Sequence, residues 1–387
     1  MGRLLHRLLP FSVVFSAGLA AQSYRELTFV RNRPVPWDNV LELEGGMVGG
    51  FPETKDASIG LDSKIGPDGH IYYKSQKMGG RETGIDVYAG RDGLYLGAVN
   101  HEIAGQGNET RLELSGRLWP FYREGFYRGS DFIPTGRYEG RDWGGGLSFG
   151  RLIEEGVRLE VGGFYRRYDF QRNATTAANY SVPDDYNAYG GQVWFEQDTL
   201  KLSNRHGRPE AGFLATIGAQ REYNNSNSTI GIPGGWQSTL PNGFWRGRAK
   251  LEWYFSGGDS GTVVLKAEGS LTDSQDRIYN FDAYKPVGHT FVDVDLGYRW
   301  DLGDALFLTP GVKGEFIRTL DEFGVSSKNK TFFGFGLRGE LDFSQFASLI
   351  ADYSYLGNES RPPVSISEDT FGEHQFYLAL RVRFGGK

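Results

Sequence analysis

The segment 333–343 alternates apolar and polar positions without interruption. Its apolar face carries Phe333, Phe335, Leu337, Leu341 and Phe343. Its other face is small or charged and carries Gly334, Gly336, Arg338, Glu340 and Asp342. Because successive side chains of a β-strand point to opposite sides, this period of two predicts a strand with one apolar face and one polar face.

The same alternation recurs about sixteen times, in segments of roughly 9–14 residues, and no long segment has the 3.6-residue apolar period of a helix. From the C-terminus backwards, strands are predicted near 374–384, 347–358, 330–343, 305–319, 290–302, 262–273, 243–256, 209–222, 186–198, 157–170, 142–152, 110–118, 94–103, 83–90 and 70–78. One more lies within 39–64, where 39–51 and 58–65 both have strand character. An all-β protein of about 16 strands is expected, with about 14 to 18 possible.

The connectors between these segments alternate in length. Short connectors are predicted at 153–156, 257–261, 303–304 and 344–346. Long polar connectors are predicted at 119–141, 172–185, 223–242, 273–289, 321–329 and 357–369. Barrels of the bacterial outer membrane have short periplasmic turns and longer external loops. The strict alternation therefore predicts a transmembrane, antiparallel, up-and-down β-barrel over a soluble β-sandwich, in which loops are not ordered by length.

Residues 1–22 have the organisation of a secretory signal peptide. Two arginines precede an apolar run from Leu8 to Leu19, which is too short to span a membrane. Small residues follow at the expected cleavage site, near Ala20 or Ala21. We predict a cleaved signal at 1–22, a periplasmic N-terminal segment at 23–38 and a barrel at 39–387, located in the outer membrane.

Composition limits the chemistry. The chain has no cysteine, so it has neither disulfides nor a thiolate metal site. Its formal charge is −6, and loss of Arg3 and Arg7 with the signal makes it −8, which argues against nucleic-acid binding. The histidines lack metal-ligand spacing. We therefore expect no metal, no cofactor and no enzymatic activity. The alternative is a rim hydrolase using Asp282 and His289 of one external connector.

The polar faces of the predicted strands carry the candidate lumen residues. A basic side chain facing lipid at mid-depth costs about 2–4 kcal/mol, so these charges are expected to line water or to pair across strands. The basic candidates are Arg111, Arg117, Arg158, Arg166, Arg246, Arg248, Lys250, Lys266, Arg299, Arg338, Arg381 and Arg383. The acidic candidates are Glu113, Glu160, Glu196, Glu252, Glu268, Asp293, Asp295, Glu315, Glu340, Asp342 and Asp352. They either set solute selectivity or simply brace the wall.

One strand carries a ladder of a single sign. Arg246, Arg248 and Lys250 occupy successive inward positions near Lys266. Such a ladder attracts anionic solutes, unless the acidic residues on the same two strands, Glu252 and Glu268, neutralise it locally.

Aromatic residues gather at the ends of the apolar faces, where amphipathic rings prefer headgroup depth. The periplasmic girdle is predicted to contain Trp253, Phe255, Trp300, Phe343 and Phe384. The external girdle is predicted to contain Trp245, Tyr353 and Tyr355.

The chain as a whole resembles the bacterial outer-membrane β-barrels of Gram-negative cells, and in particular the general porins. A fainter resemblance, to the Omp85 assembly and secretion barrels, rests on Asp198-Thr199-Leu200 followed by Pro209 and Gly212. Segment 23–38 is too short for the periplasmic domains of that group.

The porin resemblance implies a passive diffusion channel for small hydrophilic solutes, with connectors 119–141 and 223–242 folded inward. It also implies contact with outer-membrane lipid and lipopolysaccharide, insertion by periplasmic chaperones and the barrel-assembly machinery, and a possible homotrimer. The alternative is a plugged or non-channel barrel, serving as exporter, assembly or secretion component, receptor or surface scaffold, with residues 23–64 as the plug.

Overall fold

A computed structural model gives the structure of the protein. It describes residues 37–386 except 55–63, 79–81, 91–92, 102, 104–106, 117–120, 124–125, 129–130, 134–137, 173–175, 204–206, 227, 232, 234–236, 240, 258–260, 273–287, 321–326 and 358–369. The predicted signal peptide and most of segment 23–38 lie outside the described residues.

Sixteen long strands form the wall. In chain order they are β1 (Asn39–Thr54), β2 (Lys64–Ser75), β3 (Thr83–Gly90), β4 (Gly93–Asn100), β5 (Asn108–Gly116), β6 (Tyr138–Glu154), β7 (Val157–Gln171), β8 (Tyr186–Asp198), β9 (Pro209–Asn224), β10 (Gly243–Ser256), β11 (Gly261–Thr272), β12 (Gly288–Leu302), β13 (Leu306–Leu320), β14 (Ser327–Asp342), β15 (Ala347–Gly357) and β16 (Thr370–Gly386). The predicted even strand number is confirmed.

The sheet closes on itself. Each strand pairs antiparallel with the next, and β1 pairs with β16 along its whole length, from Asn39↔Gly386 to Thr54↔Thr370. Closure leaves no strand edge without backbone partners, which is the condition for a sheet in a membrane. The predicted antiparallel up-and-down barrel is confirmed. Among the described residues, no helix is long and apolar enough to cross a membrane.

The N-terminal region differs in detail from the prediction. β1 continues to Thr54, and β2 begins at Lys64, earlier than the predicted position 70. The described part of the candidate strand 58–65 therefore belongs to β2 and does not form a separate strand. Residues 39–54 form wall, so a plug made of residues 23–64 is wrong for that part. An alternating strand and an extended plug look alike in sequence, and only pairing with β16 distinguishes them.

Connector length distinguishes the two ends of most of the barrel. At the short-connector end, turns such as Glu155–Gly156 and 303–305 join the strands. At the long-connector end lie 117–137, 172–185, 225–242 and 273–287. The connector 199–208 is the longest at the short-connector end and contains the short strand Lys201–Leu202, but it is still shorter than the connectors before and after it. Nearer the N-terminus the order is lost, because β3 and β4 meet through only 91–92 at the long-connector end, whereas 76–82 and 101–107 at the other end have seven residues each. The predicted alternation therefore describes the chain from 117 onward and does not extend to the N-terminal strands.

Two of the long connectors contain short paired strands. Phe121–Arg123 pairs with the beginning of β6, and Phe126–Arg128 pairs with Asp131–Ile133. Thr229–Gly231 pairs with Gln237–Thr239.

The two faces of the wall differ as the alternation predicts. Apolar side chains project outward and are exposed, as with Phe333 at 69% and Leu337 at 47%. Charged side chains point inward and are buried, as with Arg111 at 4% and Glu160 at 2%. This is the reverse of a soluble protein and matches a wall surrounded by hydrocarbon.

Candidate functional site

The candidate site is the interior of the barrel. The predicted lumen residues whose side chains are described occupy the inward positions of their strands, each flanked by outward residues such as Leu112, Leu159, Trp245 and Leu337. The side chain of Arg117 lies outside the described residues. Whether any of these charges sets selectivity stays a prediction. Their surroundings differ around the barrel, and two regions can be distinguished.

The first region, against β2–β8, contains many buried polar side chains. Arg111 Nη1 lies 3.8 Å from Asp86 Oδ2 and 4.0 Å from Glu113 Oε1. Tyr95 donates a hydrogen bond to the same Glu113 carboxylate across 2.9 Å. Removing one partner of such a buried pair is costly, because it leaves the other charge without compensation. Arg111 and Glu113 therefore brace the wall.

Arg158 is the centre of a second buried group. Its guanidinium donates to Glu109 across 2.9 Å and lies 3.8 Å from Glu160 and 3.7 Å from Glu196. Nearby, Arg166 donates to Asp142 across 2.9 Å. These predicted lumen residues also brace the wall.

The seam between β1 and β16 carries a further cluster. Arg383 Nε donates to Glu42 across 2.7 Å, and Arg381 Nε donates to Glu44 across 2.6 Å. His70 Nε2 lies 3.0 Å from Glu42 Oε1, and its ring stacks on Tyr88. Next to this cluster Val40, Tyr72, Tyr88 and Tyr95 form a buried hydrophobic group that packs against Trp37.

Glu42, Glu44 and His70 have the spacing of a metal site, since one ligand atom from each lies within 4.8 Å of the others. The donor set nevertheless does not suit a cation. The two carboxylates already accept from Arg381, Arg383 and Tyr377. A metal ion would have to displace two guanidinium groups that carry its own sign of charge. We assign the cluster to closing the seam.

The second region is a cavity of about 600 Å³, lined by residues of β1–β3 and β8–β16. On its wall, four charged residues of β10–β13 occupy directly paired positions: Glu252↔Lys266, Lys266↔Asp295 and Asp295↔Lys313. The sign of the charge alternates from strand to strand. Lys313 Nζ lies 3.5 Å from Asp295 Oδ1, and Lys266 is exposed to the cavity.

The predicted basic ladder on β10 is partly neutralised, at Lys250. Arg246 donates to Gln220 Oε1 across 3.0 Å and lies over the Phe244 ring. Lys250 forms an ion pair with Glu252 and is directly paired with Glu268 on β11. Of the two alternatives that the sequence left open, local neutralisation by acidic residues therefore applies to Lys250.

Arg208 in connector 199–208 is absent from the predicted site. Its Nη2 donates to Glu340 Oε1 across 2.9 Å and to Asp342 Oδ2 across 3.0 Å, and the guanidinium lies 3.5 Å from the centre of the Phe307 ring. Leu202, Gly207, Arg208 and Pro209 all line the cavity. The available signal was the length of this connector at the end where the other connectors are short.

At the long-connector end, two connectors bind each other. Ser181 N donates to Gly231 O across 2.7 Å, and Gly231 N donates back to Ser181 O across 3.1 Å. Tyr180, Ser226 and Ser228 are buried in this region. The described part of 223–242 is thus held by 172–185. The side chains of 119–139, Asp282 and the side chain of His289 lie outside the described residues, so an inward fold of 119–141 and a rim hydrolase remain untested.

The predicted girdle residues occupy outward positions. Trp245, Trp253, Phe255, Trp300, Phe343 and Phe384 are exposed. Tyr353 and Tyr355 are partly covered, because Tyr353 Oη lies 2.8 Å from His374 Nδ1 and Tyr355 packs on the same imidazole ring. Their depth in a membrane stays a prediction.

No protein-family model matches the sequence, and no curated protein is significantly similar to it. Solved structures are similar in fold. BamA from Haemophilus ducreyi lacking POTRA domains 1–3 aligns with a TM-score of 0.52 at 11% identity, covering 90% of this chain and 71% of that one. CdiB from Acinetobacter baumannii aligns with a TM-score of 0.50 at 10% identity, and this chain, 88% covered, spans 60% of it.

OprB from Pseudomonas putida aligns with a TM-score of 0.47 at 10% identity, covering 90% of this chain and 94% of that one. Identities this low establish the fold alone. The chain has the fold of the bacterial outer-membrane β-barrels.

Proposed function

We propose that the protein is an outer-membrane channel for passive diffusion of small hydrophilic solutes. The observation that carries this proposal is the cavity of about 600 Å³ inside the barrel, lined by charges of both signs. A sixteen-stranded barrel is too wide for side chains to fill completely, so the unfilled part holds water. In our proposal the exported protein resides in the outer membrane after its signal peptide is removed.

The charge pattern supports hydrophilic solutes of mixed or modest charge. Glu252, Lys266, Asp295 and Lys313 alternate in sign, so this wall presents no large field of either sign. Charged rings and ladders set which ions pass a pore. Exclusion of apolar solutes follows from the same lining, because an apolar molecule would have to desolvate these charges.

The closed seam supports passage along the barrel axis and argues against passage through the wall. All of β1 is paired with β16, and the pairs Glu42–Arg383 and Glu44–Arg381 reinforce the seam from inside. Opening it would break a whole ladder of hydrogen bonds together with these ion pairs.

Planar-bilayer recording of the purified, folded protein tests the proposal. We expect discrete conductance steps. A bulky inward substitution, Thr309→Trp, should lower the conductance because Thr309 lines the cavity. The matched control is Leu308→Trp on the next, outward position, which should leave the conductance unchanged. Absence of steps from protein that is shown to be folded would overturn the proposal.

A plugged or non-channel barrel is the second candidate, serving as exporter, assembly or secretion component, receptor or scaffold. The observation in its favour is the connector 199–208, whose described residues border the cavity at one mouth. Such a barrel gives no conductance steps in the same recording, so Thr309→Trp has no measurable effect.

A further inference from the structure

One connector at the short-connector end does not turn directly back into the wall. Its described residues Lys201–Ser203 and Gly207–Arg208, together with Pro209 at the start of β9, form a segment that we call the inward arm. Lys201 pairs with Ala211 and Leu202 with Pro209, with a register shift between them. Two glycines with positive φ, Gly207 at 62° and Gly212 at 90°, allow the sharp changes of direction that other residues resist.

The contacts of Arg208 show where the inward arm goes. Arg208 directly precedes β9, yet it binds Glu340 and Asp342 of β14. Five strand spacings of about 4.8 Å each separate β9 from β14 around the wall. An arginine side chain in the wall at β9 is too short to reach β14. The inward arm itself must therefore extend across the opening of the barrel at the short-connector end.

The far side of the mouth holds the inward arm at three points. The guanidinium of Arg208 makes charge-assisted hydrogen bonds to two carboxylates and lies on the Phe307 ring of β13. Arg299 of β12 donates from Nη1 to the Pro209 carbonyl oxygen across 2.7 Å. The Arg208 side chain is only 12% exposed, so these interactions are largely shielded from water.

We infer that the inward arm forms the narrowest passage at the short-connector end, and that Arg208 is the residue that fastens it there. Arg208 would then determine the size of solute that leaves or enters the cavity at that end. The part of this inference that concerns solutes rests on the proposed function, whereas the fastening of the arm does not.

Conductance tests the constriction. Arg208→Ala releases the inward arm from β13 and β14, and we expect about a twofold rise in single-channel conductance, since the narrowest section limits ion flow. The matched control is Lys201→Ala, which removes one positive charge from an exposed position of the same arm and should change nothing. The acceptor variant Glu340→Gln with Asp342→Asn should reproduce Arg208→Ala. In a conducting channel, equal conductance of Arg208→Ala and the unaltered protein would overturn the constriction.

A spin label tests the fastening independently of conductance. The chain has no cysteine, so Leu202→Cys gives a single labelling site on the inward arm. We expect an immobilised label in this protein and in its Lys201→Ala version, and a mobile label when Arg208→Ala is added. Equal label mobility in all three would overturn the fastening. If the folded protein gives no conductance steps, the proposed function fails, and the label alone then decides the role of Arg208.

Discussion

Arg381 Nε donates a hydrogen bond to Glu44 Oε2 across 2.6 Å and joins residues 337 positions apart in sequence. Together with Arg383 and Glu42, this pair lies on the inward side of the seam where the first and last strands meet. The Glu44 side chain is 6% exposed and the Arg381 side chain is 17% exposed. Water therefore hydrates neither charge well, and each depends on the other for compensation. The barrel thus has well-shielded ion pairs at the seam where its first and last strands meet.

This arrangement predicts that Arg381→Ala destabilises the folded barrel by about 3–5 kcal/mol, because it leaves two buried carboxylates short of a partner. Urea titration of the protein in lipid vesicles measures the loss. Lys313→Ala removes one partner of a half-exposed pair on the same inward face and should cost about 1 kcal/mol or less. Equal losses from the two variants would contradict the special role of the seam.

The outward face of β14 predicts that the cost of an arginine substitution depends on its depth in the membrane. Leu337 lies in the middle of the strand and is exposed outward, so Leu337→Arg should cost about 2–4 kcal/mol in vesicles. Phe343 lies just past the end of β14, and Phe343→Arg should cost about 0–1 kcal/mol, because a headgroup region accepts the charge. The same urea titration measures both variants. A larger cost at position 343 than at 337 would place the membrane elsewhere along the wall.

The position of Lys266 predicts that reversing its charge changes the ion selectivity. It is exposed to the cavity between Glu252 and Asp295, so Lys266→Glu makes three adjacent acidic positions on this wall. We expect a severalfold increase in the preference for cations, measured as a reversal potential under a salt gradient. Lys77→Glu makes the same change of charge at an exposed connector position outside the cavity and should shift the potential far less. The reverse order would exclude Lys266 from the conduction path.

The N-terminal pattern predicts cleavage near Ala20 or Ala21, so the mature protein should begin close to Ser23. Intact-mass measurement of protein from an outer-membrane fraction identifies this terminus. Changing both Ala20 and Ala21 to Arg removes the small residues required for cleavage, and the precursor should then accumulate uncut. A full-length mass for the unaltered protein would show that residues 1–22 are retained.

The wall was largely predictable from sequence because each strand carries its own two-face signal. The alternation from Phe333 to Asp342 lies within β14 and Phe343 follows its last residue; the inward or outward direction of Arg338 and Leu337 follows from the same period. The bounds of β2 were less predictable, since a polar stretch with Gly66, Pro67 and Gly69 has little alternation. Pairing with β1 extends the strand back to Lys64 regardless of these residues.

The inward charges show the limit of reasoning from one strand at a time. Arg111 and Lys266 look equivalent in sequence, each a cation on the polar face of a two-faced strand. In the barrel Arg111 is buried among Asp86, Glu113 and Tyr95, whereas Lys266 borders the cavity. The difference depends on which strands face each other across the interior, and that information is distributed over the whole chain.

The sequence by itself determined an all-β chain, about sixteen two-faced strands and the separation of apolar from charged side chains, because these depend on a local period of two residues. Only the tertiary structure decided the exact strand number, which inward charges are buried and which border the cavity, and that Arg208 reaches Glu340. These features depend on closure of the sheet, which brings together residues whose distance in sequence bears no relation to their distance across the barrel.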